Sequence, residues 1–298
     1  MLPQEFCNLT EIVIRPEDSF HDIEDKVEVA TIIGTLQARF TDFKFLSPEW
    51  KENCQKEALL GVSMTGIYDR EIIPGEDLED LNALARATNI RTAKLIGINP
   101  SAAITAVKPS GTVSQLVDAA SGIHPRHSEY YIRSVRGDNK DPLTQFLKDA
   151  GIPSEPEFHN PDNTTVFYFP VKSPDNAKTR DNIDAISHLE TWLHYQKHWC
   201  DHKPSVTINV QEHEWPEVGA WVWKHFDWMS GVSFLPYDGG SYQQAPYQKV
   251  EKEEYEEAVS KMPKIIDWTL LQEYEKSDNT KGSQELACHA GSCEIVDV

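Results

Sequence analysis

Apolar positions along the chain fall into short runs at two spacings, and the switches between them mark the expected elements. Phe6-Cys7-Asn8-Leu9-Thr10-Glu11-Ile12-Val13-Ile14 reads as a buried strand entered almost at once. A helical pattern over 20–45 puts Ile23, Val27, Ala30, Ile33, Gly34, Leu36 and Phe40 on one face. Ser47-Pro48 restarts a helix, with an N-cap followed by proline at the first position. The apolar run 58–67 reads as a short buried strand or tight turn. Acidic residues open a helix over 75–96, Arg91 and Lys94 close it in agreement with the macrodipole, and Gly97 stops it. The apolar run 102–107 ends at Lys108-Pro109, and the chain then looks helical as far as Ala120. A loop, Gly122-Ile123-His124-Pro125-Arg126-His127, leads to a strand over 130–136. A helix at 142–150 and a strand at 164–171 follow, then a helix at 182–200, a strand at 205–210, a helix at 216–226 and a strand at 231–236. Strands alternating with helices over most of the length predict an α/β fold with mainly parallel strands. After a turn at 238–241 and a charged helix at 251–261, the polar stretch from Tyr274 onward cannot bury enough apolar surface to order itself. The expected division is therefore a folded part, 1–273, and a flexible tail, 274–298.

Composition narrows the class of protein. The 298 residues carry 39% hydrophobic and 26% charged side chains, which fits a soluble globular chain with a sizeable core. A formal charge of −20 sets a field that repels phosphate-rich polymers, so neither nucleic acid nor an anionic membrane is an expected general partner. No apolar run approaches the roughly 20 residues that span a bilayer. The N-terminus lacks the basic and apolar regions of a signal peptide. Five cysteines, an odd number in a long chain, do not suggest a secreted disulfide framework, so the expected compartment is the reducing cytoplasm.

Three clusters carry candidate chemistry. Ser110-Gly111-Thr112-Val113-Ser114 lies between an apolar run and a helix start, where backbone N–H groups and hydroxyls can hold an anion. An ordinary helix N-cap with a glycine turn gives the same pattern. Near the C-terminus, Cys288-His289-Ala290-Gly291-Ser292-Cys293 ends the polar tail. A dithiol shuttle suits this pair, because small residues let it close and the tether lets it visit a buried site and then an external reductant. A zinc site is the alternative, but the segment supplies three ligands at most. The shuttle needs a target, and Cys7 on its core strand is the candidate; Cys54 lies in a charged helix and reads as inert. His198, Cys200 and His202 alternate in a metal-like way, although a histidine-rich helix C-terminus favoured by the dipole explains them more simply. No metal site is assigned.

Taken together, Cys7, Lys108-Pro109-Ser110-Gly111-Thr112-Val113-Ser114, Gly122-Ile123-His124-Pro125-Arg126 and the C-terminal Cys-x₄-Cys make the chain resemble the C-terminal half of a ribonucleotide reductase catalytic chain. It looks most like the monomeric adenosylcobalamin-dependent ribonucleoside-triphosphate reductases. Phe6-Cys7-Asn8-Leu9-Thr10-Glu11, the stretch 198–208 and Gly231-Val232-Ser233-Phe234-Leu235-Pro236-Tyr237 read like the same branch.

That resemblance implies the second half of a ten-stranded α/β barrel and reduction of a ribonucleotide by thiyl-radical chemistry. Cys7 then matches the strand cysteine of the reducing pair, and Cys288 and Cys293 match the swinging pair that takes electrons from a thioredoxin-like donor. Ser110, Gly111, Thr112, Val113 and Ser114 match the loop that binds the substrate's phosphates. The radical cysteine, in an Asn-x-Cys-x-Glu motif, would lie upstream, and adenosylcobalamin would be bound with that N-terminal half. The chain is expected to be inactive without it. A reductase that takes its radical from a separate metal-containing subunit, and a zinc- or thiol-bearing interaction module, are the rival readings.

Overall fold

The computed structural model describes residues 2–175, 177–237 and 243–275. In chain order its elements are β1 (Asn8–Val13), α1 (Phe20–Gln37), α2 (Pro48–Glu57), β2 (Leu60–Thr65), α3 (Gly75–Ile96) and α4 (Gly111–Leu116). There follow β3 (Tyr130–Asp138), α5 (Pro142–Asp149), β4 (Ser154–Pro156), β5 (Thr164–Lys172), α6 (Ala185–His198) and β6 (Val206–Val210). The series ends with α7 (Trp215–Lys224), β7 (Val232–Pro236), β8 (Tyr247–Lys249), α8 (Lys252–Lys261) and α9 (Leu271–Tyr274). The described residues divide into two compact units, one drawn from 2–129 with 173–237 and the other from 130–172 with 243–275.

Parallel pairing organises the first unit. β1 pairs with β2, and β6 pairs with β7, both in parallel. The extended segment 102–107 joins them through parallel bridges, Val62↔Thr105 on one side and Val107↔Pro204 on the other. The order across the sheet is therefore β1, β2, segment 102–107, β6, β7. The even positions Ile12 and Ile14, with Leu60, Val62 and Met64, are buried among Ile23, Val27, Leu78, Leu81 and Ala85 of α1 and α3. Two buried tryptophans on and after α6 tie that helix to the middle of the sheet. Trp192 donates from Nε1 to the Pro204 carbonyl at 2.8 Å, and Trp199 donates to that of Ala106 at 2.9 Å. Among the described residues the sheet stays open and no closed barrel forms.

Most expected elements form, with three corrections. The helix expected over 20–45 stops at Gln37, and Ile33 and Phe40 stand 48% and 76% exposed. Thr31 and Thr35 are buried in their place, because each hydroxyl donates to a carbonyl one turn back, that of Val27 or Thr31, at 2.7 Å. Gly34 lets this face settle onto Leu60, whose Cδ atoms lie 3.4–3.5 Å from where a Cβ would be. The helix expected to reach Ala120 ends at Leu116: Asp118 turns into the left-handed region at φ 47°, and Arg15 takes the Val117 and Asp118 carbonyls.

The third correction concerns strand direction. The second unit is an antiparallel sheet of order β4-β5-β3-β8, not a parallel one. Between β3 and β5 the chain carries α5 and then β4, which pairs with β5 alone. β5 lies between β4 and β3 and runs antiparallel to both, so the direction reverses at the turn from β4 into β5, a short strand the apolar pattern did not mark. Phe146 of α5, Trp268 and Tyr274 stack over this unit, with centroids 5.4 and 5.5 Å apart from the phenylalanine ring. Among the described residues no helix is long and apolar enough to cross a membrane.

Candidate functional site

The period of two along β1 puts Cys7, Leu9 and Glu11 on the sheet face opposite the helices. Register sets Leu9 beside Gly61 and Glu11 beside Ser63 of β2. Gly61 is what makes room there: a Cβ at that position would lie 2.5 Å from Leu9 Cδ2 and 3.1 Å from Cys7 Sγ, with Lys108 Cε at 3.7 Å. His202, just beyond α6, donates from Nε2 to the Leu60 carbonyl at 2.7 Å, and the same N–H faces Cys7 Sγ at 3.9 Å. Burial raises the Cys7 thiol above its ordinary value; the Lys108 ammonium pulls it back in part, and the Glu5 carboxylate adds to the rise. Burial likewise keeps His202 below the usual imidazole range, so the ring is neutral at pH 7. A protonated thiol beside a neutral N–H donor and one ammonium is the chemistry this corner presents.

The loop after Lys108 lies on the same face. The Lys108 N–H donates to Ser63 Oγ at 2.9 Å, which fixes where the loop leaves the sheet. Ser110 sits in the left-handed region at φ 63°, and its Oγ donates to Glu11 Oε1 at 2.5 Å. Gly111 and Thr112 are exposed, as is Val113. Ser114 is buried, and its hydroxyl donates to the Gly111 carbonyl at 2.8 Å, so it closes the turn from within. Burial raises the Glu11 carboxyl above its ordinary value, while the Ser110 bond works against that rise.

A second layer fixes the loop from below. Thr65 Oγ1 donates to the Ala120 carbonyl and accepts from the Gly122 N–H, both at 2.8 Å. Gly122, at φ 58°, has no alternative, since a Cβ there would stand 2.3 Å from the Lys108 carbonyl oxygen. Arg126 is buried and grips Asp69 at 2.8 and 3.0 Å and Asp118 at 2.7 Å. Burial alone would pull the guanidinium down, but its two carboxylates outweigh that and raise it. His124 accepts the Thr207 N–H at Nε2 (3.0 Å) and so donates from Nδ1 to the Ser121 carbonyl (2.9 Å). His188 of α6 donates to the Ile123 carbonyl at 2.9 Å. Burial holds both histidines below the usual range, His188 down to about 4.

The other sequence candidates lie apart from this face. His198 pairs with Glu79 at 2.7 Å, burial pushes the Cys200 thiol well up, and His202 turns to Leu60, so the alternating trio does not converge. Among the described residues no group of three His, Cys, Asp or Glu side chains could hold a metal ion. Cys54 is buried, its sulfur accepting the Phe6 N–H at 3.3 Å. Cys288 and Cys293, with the rest of the tail from 276, lie outside the described residues. Glu11, Lys108 and Arg126 lie inside motifs quoted for the resemblance but were given no role of their own, and His202 was weighed only as part of a metal-like trio. Glu11 also shares the two-residue period of Cys7.

No protein-family model matches the chain. It is 28% identical, over 98% of its length, to an adenosylcobalamin-dependent ribonucleoside-triphosphate reductase of Lactobacillus delbrueckii subsp. bulgaricus, of which it covers 44%. A reductase of the same description from Euglena gracilis is 29% identical over 97% of the chain and 40% of that protein. One from Lactobacillus gasseri is 30% identical over 77% of the chain and 31% of that protein. The fold matches a crystal structure of a B12-dependent (class II) ribonucleotide reductase with a TM-score of 0.76 and 25% identity, over 94% of this chain and 44% of that one. The chain spans less than half the length of the curated relatives it matches. In sequence along nearly its whole length, and in fold, the chain is a relative of the adenosylcobalamin-dependent ribonucleoside-triphosphate reductases.

Proposed function

We propose that the chain supplies the C-terminal half of a ribonucleoside-triphosphate reductase, contributing the phosphate grip and one thiol of the reducing pair. The observation that carries this reading is the placing of Cys7 on one sheet face with the 108–114 loop, in a chain similar to such reductases over 98% of its length. The five parallel segments are then half of a ten-stranded barrel whose other half lies in the upstream part. Ser110, Thr112 and the exposed backbone of Gly111 and Val113 hold the substrate's phosphates, while Ser114 shapes the turn. An upstream cysteine radical takes the 3′ hydrogen and returns it to the same carbon at the end of the turnover, and in between the 2′ hydroxyl leaves as water. Cys7 and an upstream thiol give up two electrons and two protons, and a disulfide results. Cys288 and Cys293 then reduce that disulfide by thiol exchange and are themselves reduced by a thioredoxin-like donor.

Adenosylcobalamin supplies the initiating radical when it is bound. The histidines nearest the Cys7 face do not form a cobalt site: His202 is committed to the Leu60 carbonyl, and His124 to Ser121 and Thr207. Its binding is assigned to the other half by the resemblance, and none of the roles above depends on contacts made to it here.

Mixing this chain with the upstream half, adenosylcobalamin, a reduced thioredoxin and a ribonucleoside triphosphate should yield the deoxyribonucleotide, and Cys7→Ser should abolish it. Activity of the chain without its complement, or full activity of Cys7→Ser, would overturn the reading. Replacing adenosylcobalamin by a metal-containing radical subunit and recovering the same turnover would move the chain to the other class of reductase.

A further inference from the structure

The Ser110 hydroxyl has a single hydrogen, and it is spent on Glu11 Oε1 at 2.5 Å. A serine in that state has no hydrogen left for a phosphate oxygen. The partner is moreover an anion, set beside the loop proposed to receive anions. A carboxylic acid in the same position reverses the bond: it donates to Ser110 Oγ, and the serine hydrogen turns outward. We propose that Glu11 is a proton-linked latch on the phosphate loop, holding the Ser110 hydroxyl when ionised and releasing it to the ligand's phosphate when protonated.

Glu11 is placed for this. It comes from β1 and reaches a loop 99 residues further along, so the contact is tertiary and not a local turn. Around it, β1 contributes Cys7, β2 contributes the non-titrating Ser63 and Thr65, the segment 102–107 leads to Lys108, and His202 lies against Cys7. Arg15, further along the same strand direction, is turned to the Val117 and Asp118 carbonyls. Burial already lifts the Glu11 carboxyl, with the Ser110 bond opposing, and an arriving phosphate pushes it the same way as burial does. Linkage then fixes the sign. Phosphate binding takes up a proton, so affinity weakens as pH rises, by up to about tenfold per pH unit where one whole proton is linked.

The inference rests on the phosphate-loop reading, so its test keeps the two apart. Cytidine triphosphate is titrated calorimetrically into the full chain at pH 7.5 in two buffers of different ionisation enthalpy, for wild type, Glu11→Gln and Ser110→Ala. The amide of Glu11→Gln donates permanently to Ser110 and mimics the protonated state. It should bind several-fold more tightly than wild type at this pH and take up close to one proton fewer per ligand, the nucleotide's own titration cancelling in the difference. In wild type labelled with ¹³C-glutamate, the Glu11 carboxyl shift should move to the acid form on nucleotide addition, a readout that needs no variant to fold. If cytidine triphosphate binds neither wild type nor Glu11→Gln, the phosphate reading falls and the latch with it. If it binds and Ser110→Ala weakens it, but proton uptake is equal in wild type and Glu11→Gln, the latch alone is wrong.

Discussion

Cys7 is held as a thiol, not as a thiolate. Its sulfur sits against Gly61 between the Lys108 stem and the His202 ring, and burial outweighs the ammonium. The proposed role, giving up hydrogen and electrons to a bound substrate and not attacking passing electrophiles, suits such a corner. Alkylation by iodoacetamide followed by peptide mapping should therefore give Cys7 an apparent pKa above the ordinary 9.0. Lys108→Met removes a cation that lowers it, so the apparent pKa should rise again and labelling at pH 8 should slow a few-fold; faster labelling would contradict this electrostatic account. Of this site the sequence showed what short motifs can show. Cys7 stood out on an apolar strand, and Ser110 to Ser114 stood out as a small-residue turn. Their partners were hidden by distance along the chain, since His202 meets Cys7 across 195 residues and Ser110 meets Glu11 across 99.

The 108–114 loop owes its shape to residues in the layer beneath it. Arg126 and Asp69 are 4% and 5% exposed, and Asp69 also accepts the Ala120 N–H at 2.8 Å. Removing one member strands the other charge in the interior, so Arg126→Ala should destabilise the unit by about 3 kcal/mol. Urea unfolding checks the size, and nucleotide affinity should fall with it because α4 loses its lower anchor. The two histidines of the same mount respond to pH. The fold holds His188 neutral, down to about 4, whereas the unfolded chain protonates near 6.5. Stability from this residue is present above about pH 6.5 and is lost as pH falls towards 4, on the order of 3 kcal/mol in all. His188→Gln keeps a donor for the Ile123 carbonyl and should flatten the urea midpoint between pH 6.5 and 5, where carboxylates contribute little; an unchanged slope would place the pH sensitivity elsewhere. Element type was legible wherever period and end signals agreed, as at Pro48 and Gly97. It failed where hydroxyls changed the rules, as when Thr31 and Thr35 took the core face of α1 from Ile33, and where direction depended on a short strand the pattern did not mark, as with β4 between β3 and β5.

The first unit ends in two unfinished edges. Among the described residues β1 pairs with β2 alone and β7 with β6 alone. Leu9 and Leu235 stand 52% and 54% exposed on these outer strands. Parallel sheets are ordinarily covered on both faces, and an open edge is a template for another chain. The bonds Asn8 N–H to Leu59 and Ile14 N–H to Thr65 show that even positions of β1 face β2. The amides of Leu9, Glu11 and Val13 consequently point to the open side. If the upstream half closes the sheet into a barrel, those three amides should exchange rapidly in the chain alone and become protected by at least tenfold when the complement is added, while Asn8, Thr10 and Ile12 change little. Amides of β7 that face away from β6 should follow, and Cys7 alkylation should slow in the same mixture as the face is enclosed. Restored ribonucleotide reduction without protection at Leu9, Glu11 and Val13 would mean that the two halves work together without continuing this sheet, and the barrel reading would have to give way to a different assembly.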